Sequence, residues 1–93
     1  MSETNLIGLP ALLASLTRDG DSWRGVIPDS WLQGRTSYGG LSSALALHAA
    51  QHSDTDLPPL RSAQVAFIGP LAGPVTITAS RLRRGRNAAW VQA

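Results

Sequence analysis

Two adjacent glycines, Gly39 and Gly40, stand where a polar loop gives way to small apolar residues running from Leu41 to Ala50. Paired glycines let a backbone come close to a ligand or another chain. The first amides of a helix have no partner inside it and point outward at the positive end of its dipole. Such a terminus can polarise a carbonyl oxygen or hold a phosphate. The same pair serves equally well as a tight turn that packs a helix closely on a sheet. Tyr38, just before it, either lines a ligand tunnel or covers the helix end.

Other residue types offer other chemistries. His48 and His52 are one helical turn apart, a spacing that metal sites use. No glutamate follows His48 and no third ligand is evident, so the expectation is no metal, with the pair serving as polarity near an exposed helix end. Ser37, Ser42 or Ser43 could act as nucleophile with a histidine as base, but the glycine-x-serine-x-glycine elbow is absent. Arg81, Arg83, Arg84 and Arg86 crowd into one segment. They suit bidentate capture of phosphate, or a solvated hairpin that keeps an edge strand from aggregating. A nucleic-acid surface ranks last, since only Trp90 lies close by and no recognition motif occurs. The acids are Glu3, Asp19, Asp21, Asp29, Asp54 and Asp56, of which only Asp29 lies near the glycine pair.

The elements that must position these groups follow from the pattern of apolar residues and breakers. Met1 to Asn5 is polar and reads as a frayed start. Leucine spacing and Pro10 near its beginning predict a short helix over about Leu9 to Ser15. Asp19-Gly20-Asp21 is a turn signal. Beyond it Trp23, Gly25 and Ile27 alternate with Ser22, Arg24 and Val26 as a first strand that Pro28 stops. Asp29 to Tyr38 reads as an irregular loop, and a helix from about Gly40 to His52 follows. That helix is apolar nearly all the way round, which predicts burial at the centre of the fold. Arg61 to Ile68 alternates as a second strand, with Ala63, Val65 and Phe67 on one face. A turn rich in breakers, Gly69 to Pro74, leads to the cleanest alternation, Val75 to Leu82. Arg84-Gly85-Arg86-Asn87 is a tight connection, and Ala88 to Ala93 opens a last strand that stops abruptly. The ending predicts a domain truncated at its C-terminus or cut from a longer chain.

Ninety-three residues fit one small domain, residues 1–93, and the apolar fraction of 43% suits a globular chain. No cysteine is present, which excludes a disulfide framework, a thiol nucleophile and a cysteine-ligated zinc. Neither a signal peptide nor a membrane-length apolar run is visible, so the expectation is a cytoplasmic protein with no membrane partner.

Three of these segments carry a resemblance. Gly34-Arg35-Thr36-Ser37-Tyr38-Gly39-Gly40 with its helix resembles the start of the hotdog helix in the acyl-CoA thioesterase II-like, double-hotdog family, in its N-terminal repeat. Leu60 to Pro70 resembles that repeat's second strand with its phenylalanine-x-x-proline turn. Leu82 to Asn87 resembles its leucine-arginine-x-glycine-arginine/asparagine hairpin. The resemblance implies an α+β hotdog fold, an antiparallel sheet wrapped round a central helix, incomplete here at the C-terminus. It implies hydrolysis of an acyl-CoA thioester to free acid and CoA, with no cofactor, and a second hotdog unit, fused or oligomeric, as partner. By that resemblance Gly39 and Gly40 hold the thioester carbonyl, Tyr38 and Phe67 line the acyl pocket, and Arg84 or Arg86 meets CoA. In the family the acid that positions the attacking water sits mainly in the C-terminal repeat. This chain has Gly39, Gly40 and Leu41 where single-hotdog enzymes often place a carboxylate, and Arg61 where some relatives carry histidine. The alternative is a non-catalytic acyl-binding or hotdog interaction module.

Overall fold

The computed structural model describes residues 8–93, so the polar start Met1–Asn5 lies outside the described residues. The short first helix, α1, spans Leu9–Ala14, with Pro10 in its first turn where a missing amide costs nothing. Ser15 closes it, its hydroxyl donating to the Leu12 carbonyl at 2.6 Å. Strands β1 (Thr17–Asp19) and β2 (Ser22–Ile27) form a hairpin whose turn rests on Gly20 at φ 62°. The sequence pattern gives one strand here, and the structure adds β1 before it. Three residues are too few to show an alternation.

Next come a single 3-10 turn, Asp29–Trp31, and two dipeptide strands, β3 (Leu32–Gln33) and β4 (Thr36–Ser37). They pair around Gly34 at φ 70°, so the stretch expected to be irregular is a small hairpin. The central helix α2 spans Gly39–Gln51. Strand β5 (Gly73–Thr78) pairs antiparallel with β2 from Ser22↔Thr78 to Ile27↔Gly73, giving a three-stranded sheet in the order β1-β2-β5. Strands β6 (Ser80–Arg84) and β7 (Ala89–Gln92) make a separate antiparallel hairpin. The architecture is α+β, with antiparallel sheets and one long helix packed on the larger of them.

The core lies between α2 and that sheet. Leu12, Leu16, Ile27, Leu41, Leu45 and Val75 cluster there, with Trp23, Trp31 and Ile77 packed against the rim. The alternation in β2 comes out as its residues dictate: Ile27 is buried and Val26 faces out. Across the ladder Trp23 meets Ile77 and Gly25 meets Val75. In α2 the buried residues are Leu41, Leu45 and Ala49, one stripe at intervals of four. Ala44, Ala46, Leu47 and Ala50 are half-buried, so the all-round apolar character of α2 exceeds what this sheet covers. Among the described residues no helix is long and apolar enough to cross a membrane.

Two sequence expectations need correction. The segment from Arg61 to Ile68 is not a strand; it belongs to no ladder, and every one of its residues is exposed. Alternation makes a segment capable of pairing, but a strand exists only when a neighbouring edge accepts its amides. The run from Val75 to Leu82 is not continuous either. It breaks at Ala79, which is buried and donates its amide to the Asp21 carbonyl at 3.1 Å, ending β5 and starting β6 in another sheet.

Gly25 sits in the middle of β2 because any side chain there would collide with the core. A β-carbon would overlap a terminal methyl of buried Leu16. Gly25→Ala is expected to force Leu16 off its position at a cost of about 1–3 kcal/mol. Urea denaturation checks this, and Gly25→Ala with Leu16→Ala should cost less than the sum of the two single changes.

Candidate functional site

The glycine turn is assembled from three directions. Tyr38 caps α2 with extended backbone (φ −55°, ψ 134°) and no side-chain cap bond. Its carbonyl accepts the amides of Leu41 at 2.9 Å and Ser42 at 3.3 Å, and its own amide donates to Trp31 at 3.1 Å. For the amides of Gly39 and Gly40, no acceptor occurs among the described residues. Those two donors are the orphans that a helix start always carries.

Hydroxyls hold the turn in place. Ser37, 4% exposed, sits 3.1 Å from the hydroxyl of Ser42, joining the residue before the cap to the first turn of α2. Ser43 donates back to the Gly39 carbonyl at 3.0 Å. On the other side, the Ser37 amide donates to the Leu71 carbonyl at 2.7 Å, and the Leu71 amide donates to the Thr36 hydroxyl at 3.0 Å. This two-way clasp fixes the base of the exposed segment that carries Phe67. The sequence offers Ser37 as a nucleophile candidate, but it does not show that Ser37 and Thr36 form a clasp, because their partners lie 5 and 35 residues away.

The clasp brings four of the six candidate residues together. A β-carbon on Gly39 would stand 3.3 Å from the Phe67 ring, and one on Gly40 would overlap the Tyr38 ring. The fit is tight at Gly39, where an exposed ring can give way, and closed at Gly40, where the Tyr38 ring occupies the space of a side chain. Both rings remain open to an incoming apolar group, Tyr38 being 52% and Phe67 65% exposed. Asp29 is exposed and opens the 3-10 turn whose last residue, Trp31, takes the Tyr38 amide.

Arg84 and Arg86 are not brought to this place. Arg84 donates to the Asp56 carbonyl at 2.7 Å, just past the C-terminal end of α2, and its other nitrogen is 3.9 Å from Asp54. That end is on the order of 20 Å along the helix from Gly39. Arg81 completes the cluster with a hydrogen bond to Asp54 at 3.1 Å. Arg86 is exposed in the β6–β7 turn. The arginine cluster therefore ties the hairpin to the loop after α2, and Arg84 is part of that tie.

The Thr55 amide, then the Arg81 hydrogen bond and charge, then Arg84, hold the Asp54 carboxyl below its ordinary value of 3.8. A lowered carboxyl stabilises the folded form above the unfolded value, and that contribution is lost as pH falls through the lower folded one. Hydrogen exchange of β6 and β7, corrected for intrinsic rates, is expected to stay constant down to about pH 4 and to quicken below it. Asp54→Asn should show the quickened exchange at neutral pH.

An open depression of about 550 Å³ lies elsewhere, beside Gly25 and lined by Thr17, Arg24, Val26, Pro74 and Thr76. Arg24 there is already paired with Asp19 at 3.1 Å, and no nucleophile–base pair faces it. The glycine turn sets free donors next to apolar surface.

Comparison with curated proteins and with solved structures gave no match. Among family models, the acyl-CoA thioesterase N-terminal domain matches over residues 27–93. The matched span runs from the end of β2 through the glycine turn, α2, the Phe67 segment and both later hairpins, and the chain belongs to that family.

Proposed function

We propose that this chain is the acyl-binding and carbonyl-polarising part of an acyl-CoA thioesterase, one hotdog unit of an active assembly in the cytoplasm. The observation that carries the reading is the pair of free amides at Gly39 and Gly40, set beside the exposed rings of Tyr38 and Phe67. The thioester oxygen lies on the amides, and the acyl chain runs over the two rings. Water adds to the carbonyl carbon, and negative charge grows on the oxygen facing the donors. Collapse then breaks the carbon–sulfur bond and releases the fatty acid and the CoA thiol. Donors aimed at developing charge lower the barrier because they are already in place. The carboxylate that takes the proton from water comes from the partner hotdog unit, fused or separate, which also completes the sheet around α2. Arg86, exposed on its turn, supplies the guanidinium for CoA phosphate, while Arg84 fixes the hairpin that presents it.

The test pairs calorimetry on a non-hydrolysable acyl-CoA thioether with release of CoA thiol from the matching thioester. Thioether binding that weakens about tenfold or more in Phe67→Ala and in Tyr38→Ala supports the site, since burying such a ring is worth about 1.5–3 kcal/mol. Failure of both binding and hydrolysis would sink it. A second reading, an acyl-binding module without catalysis, is favoured by the absence of any carboxylate bonded into the glycine turn among the described residues. Binding without thiol release in any assembly would select that reading.

A further inference from the structure

We propose that His48 and His52 form a two-imidazole site for a borderline divalent transition-metal ion, copper(II) above zinc(II), at the C-terminal end of α2. The spacing places both rings on one face of the helix, and their centroids are 4.4 Å apart. Nδ1 of His52 is 2.7 Å from the His48 carbonyl. A carbonyl only accepts, so in the neutral ring Nδ1 carries the proton and Nε2 is the nitrogen with a lone pair for a metal. A backbone carbonyl on the other ring nitrogen is how metal-binding histidines are commonly oriented. Trp23 stands edge-on to both rings, at 5.0 Å from His48 and 5.6 Å from His52, and limits how far either can turn.

The charged group facing the pair is Arg18 of β1. It donates to the His52 carbonyl at 2.9 Å, and its guanidinium lies 5.3 Å from the Trp23 ring centre. As a like charge it opposes a bound cation. Among the described residues no group of three or more potential ligands forms. The site is therefore a two-ligand chelate with its remaining positions left to water, far weaker than a closed four-ligand zinc site. Copper(II) leads because imidazole sites follow the general order of divalent affinities. The site lies on the order of 14 Å along α2 from Gly39, so it stands apart from the glycine turn.

Titration of the full chain with copper(II) alone, in a non-coordinating buffer near neutral pH, tests this by calorimetry and by tryptophan fluorescence. One equivalent is expected to bind and quench, with zinc(II) binding the same site more weakly. His52→Ala, at an exposed position that leaves the core untouched, should weaken copper(II) at least tenfold, and His48→Gln likewise. Arg18→Gln should tighten binding by removing the like charge. Trp23→Phe should abolish most of the quenching while leaving the calorimetric affinity within about threefold. Absence of binding, or binding undiminished in His52→Ala, overturns the proposal. Because the readout is metal binding, its failure leaves the thioesterase reading untouched.

Discussion

Replacing Gly39 by proline is expected to leave α2 folded and to lower acyl-CoA hydrolysis by the active assembly about 10²–10³-fold, the usual loss when one oxyanion donor is removed. Gly39 is the first helical residue, where proline is favoured because its absent amide has no partner inside the helix anyway. The residue before a proline must be extended, and Tyr38 already is, at ψ 134°. The change deletes one donor and keeps the helix. Gly39→Ala is the matched control. It keeps the amide and adds a β-carbon 3.3 Å from the Phe67 ring, which is 65% exposed and free to give way. The alanine variant should therefore stay within a few-fold of the parent. The donor acts on charge that develops during the reaction, so thioether affinity should be nearly unchanged in the proline variant while kcat falls. Equal losses in both variants would assign the effect to crowding of Phe67 and remove Gly39 from the polarising role. Circular dichroism confirms the helix in each.

Leu45→Ala is expected to cost about 2–5 kcal/mol of stability, a large share of the 5–15 kcal/mol that holds a typical domain together. Leu45 is 1% exposed at the centre of the buried stripe of α2, and the core cluster joins it to Leu12, Leu16, Ile27 and Val75. Removing its side chain leaves a cavity between helix and sheet that neither rigid element closes. The midpoint of urea unfolding should drop without a change in slope. Leu47→Ala is the comparison. It is only half-buried and should cost a fraction of the Leu45 loss. An equal loss at Leu47 would mean that the outer face of α2 is also covered in solution. That outcome would favour the second hotdog unit of the proposed assembly.

The sequence by itself determined the elements that local chemistry controls. Pro10 and the leucine spacing set α1, the Trp23–Gly25–Ile27 alternation set the inner face of β2, and the glycine pair set the start of α2 to within one residue. It also singled out Gly39, Gly40, Tyr38 and Phe67, which the fold brings together. Tertiary structure decided the rest, because the deciding partner is far away along the chain. The alternation from Arg61 to Ile68 is as regular as that of β2, yet β2 finds β1 and β5 while the later segment finds no edge. Ala79 breaks a run that reads as one strand because Asp21, on another turn, takes its amide. Arg84 donates to the Asp56 carbonyl and lies 3.9 Å from Asp54, both about thirty residues earlier, a placement that the arginine-rich segment alone does not show. Helices close their hydrogen bonds within a few residues and so are written locally. Strands, ion pairs and sites close theirs across the fold, where only the packed chain shows who is opposite whom.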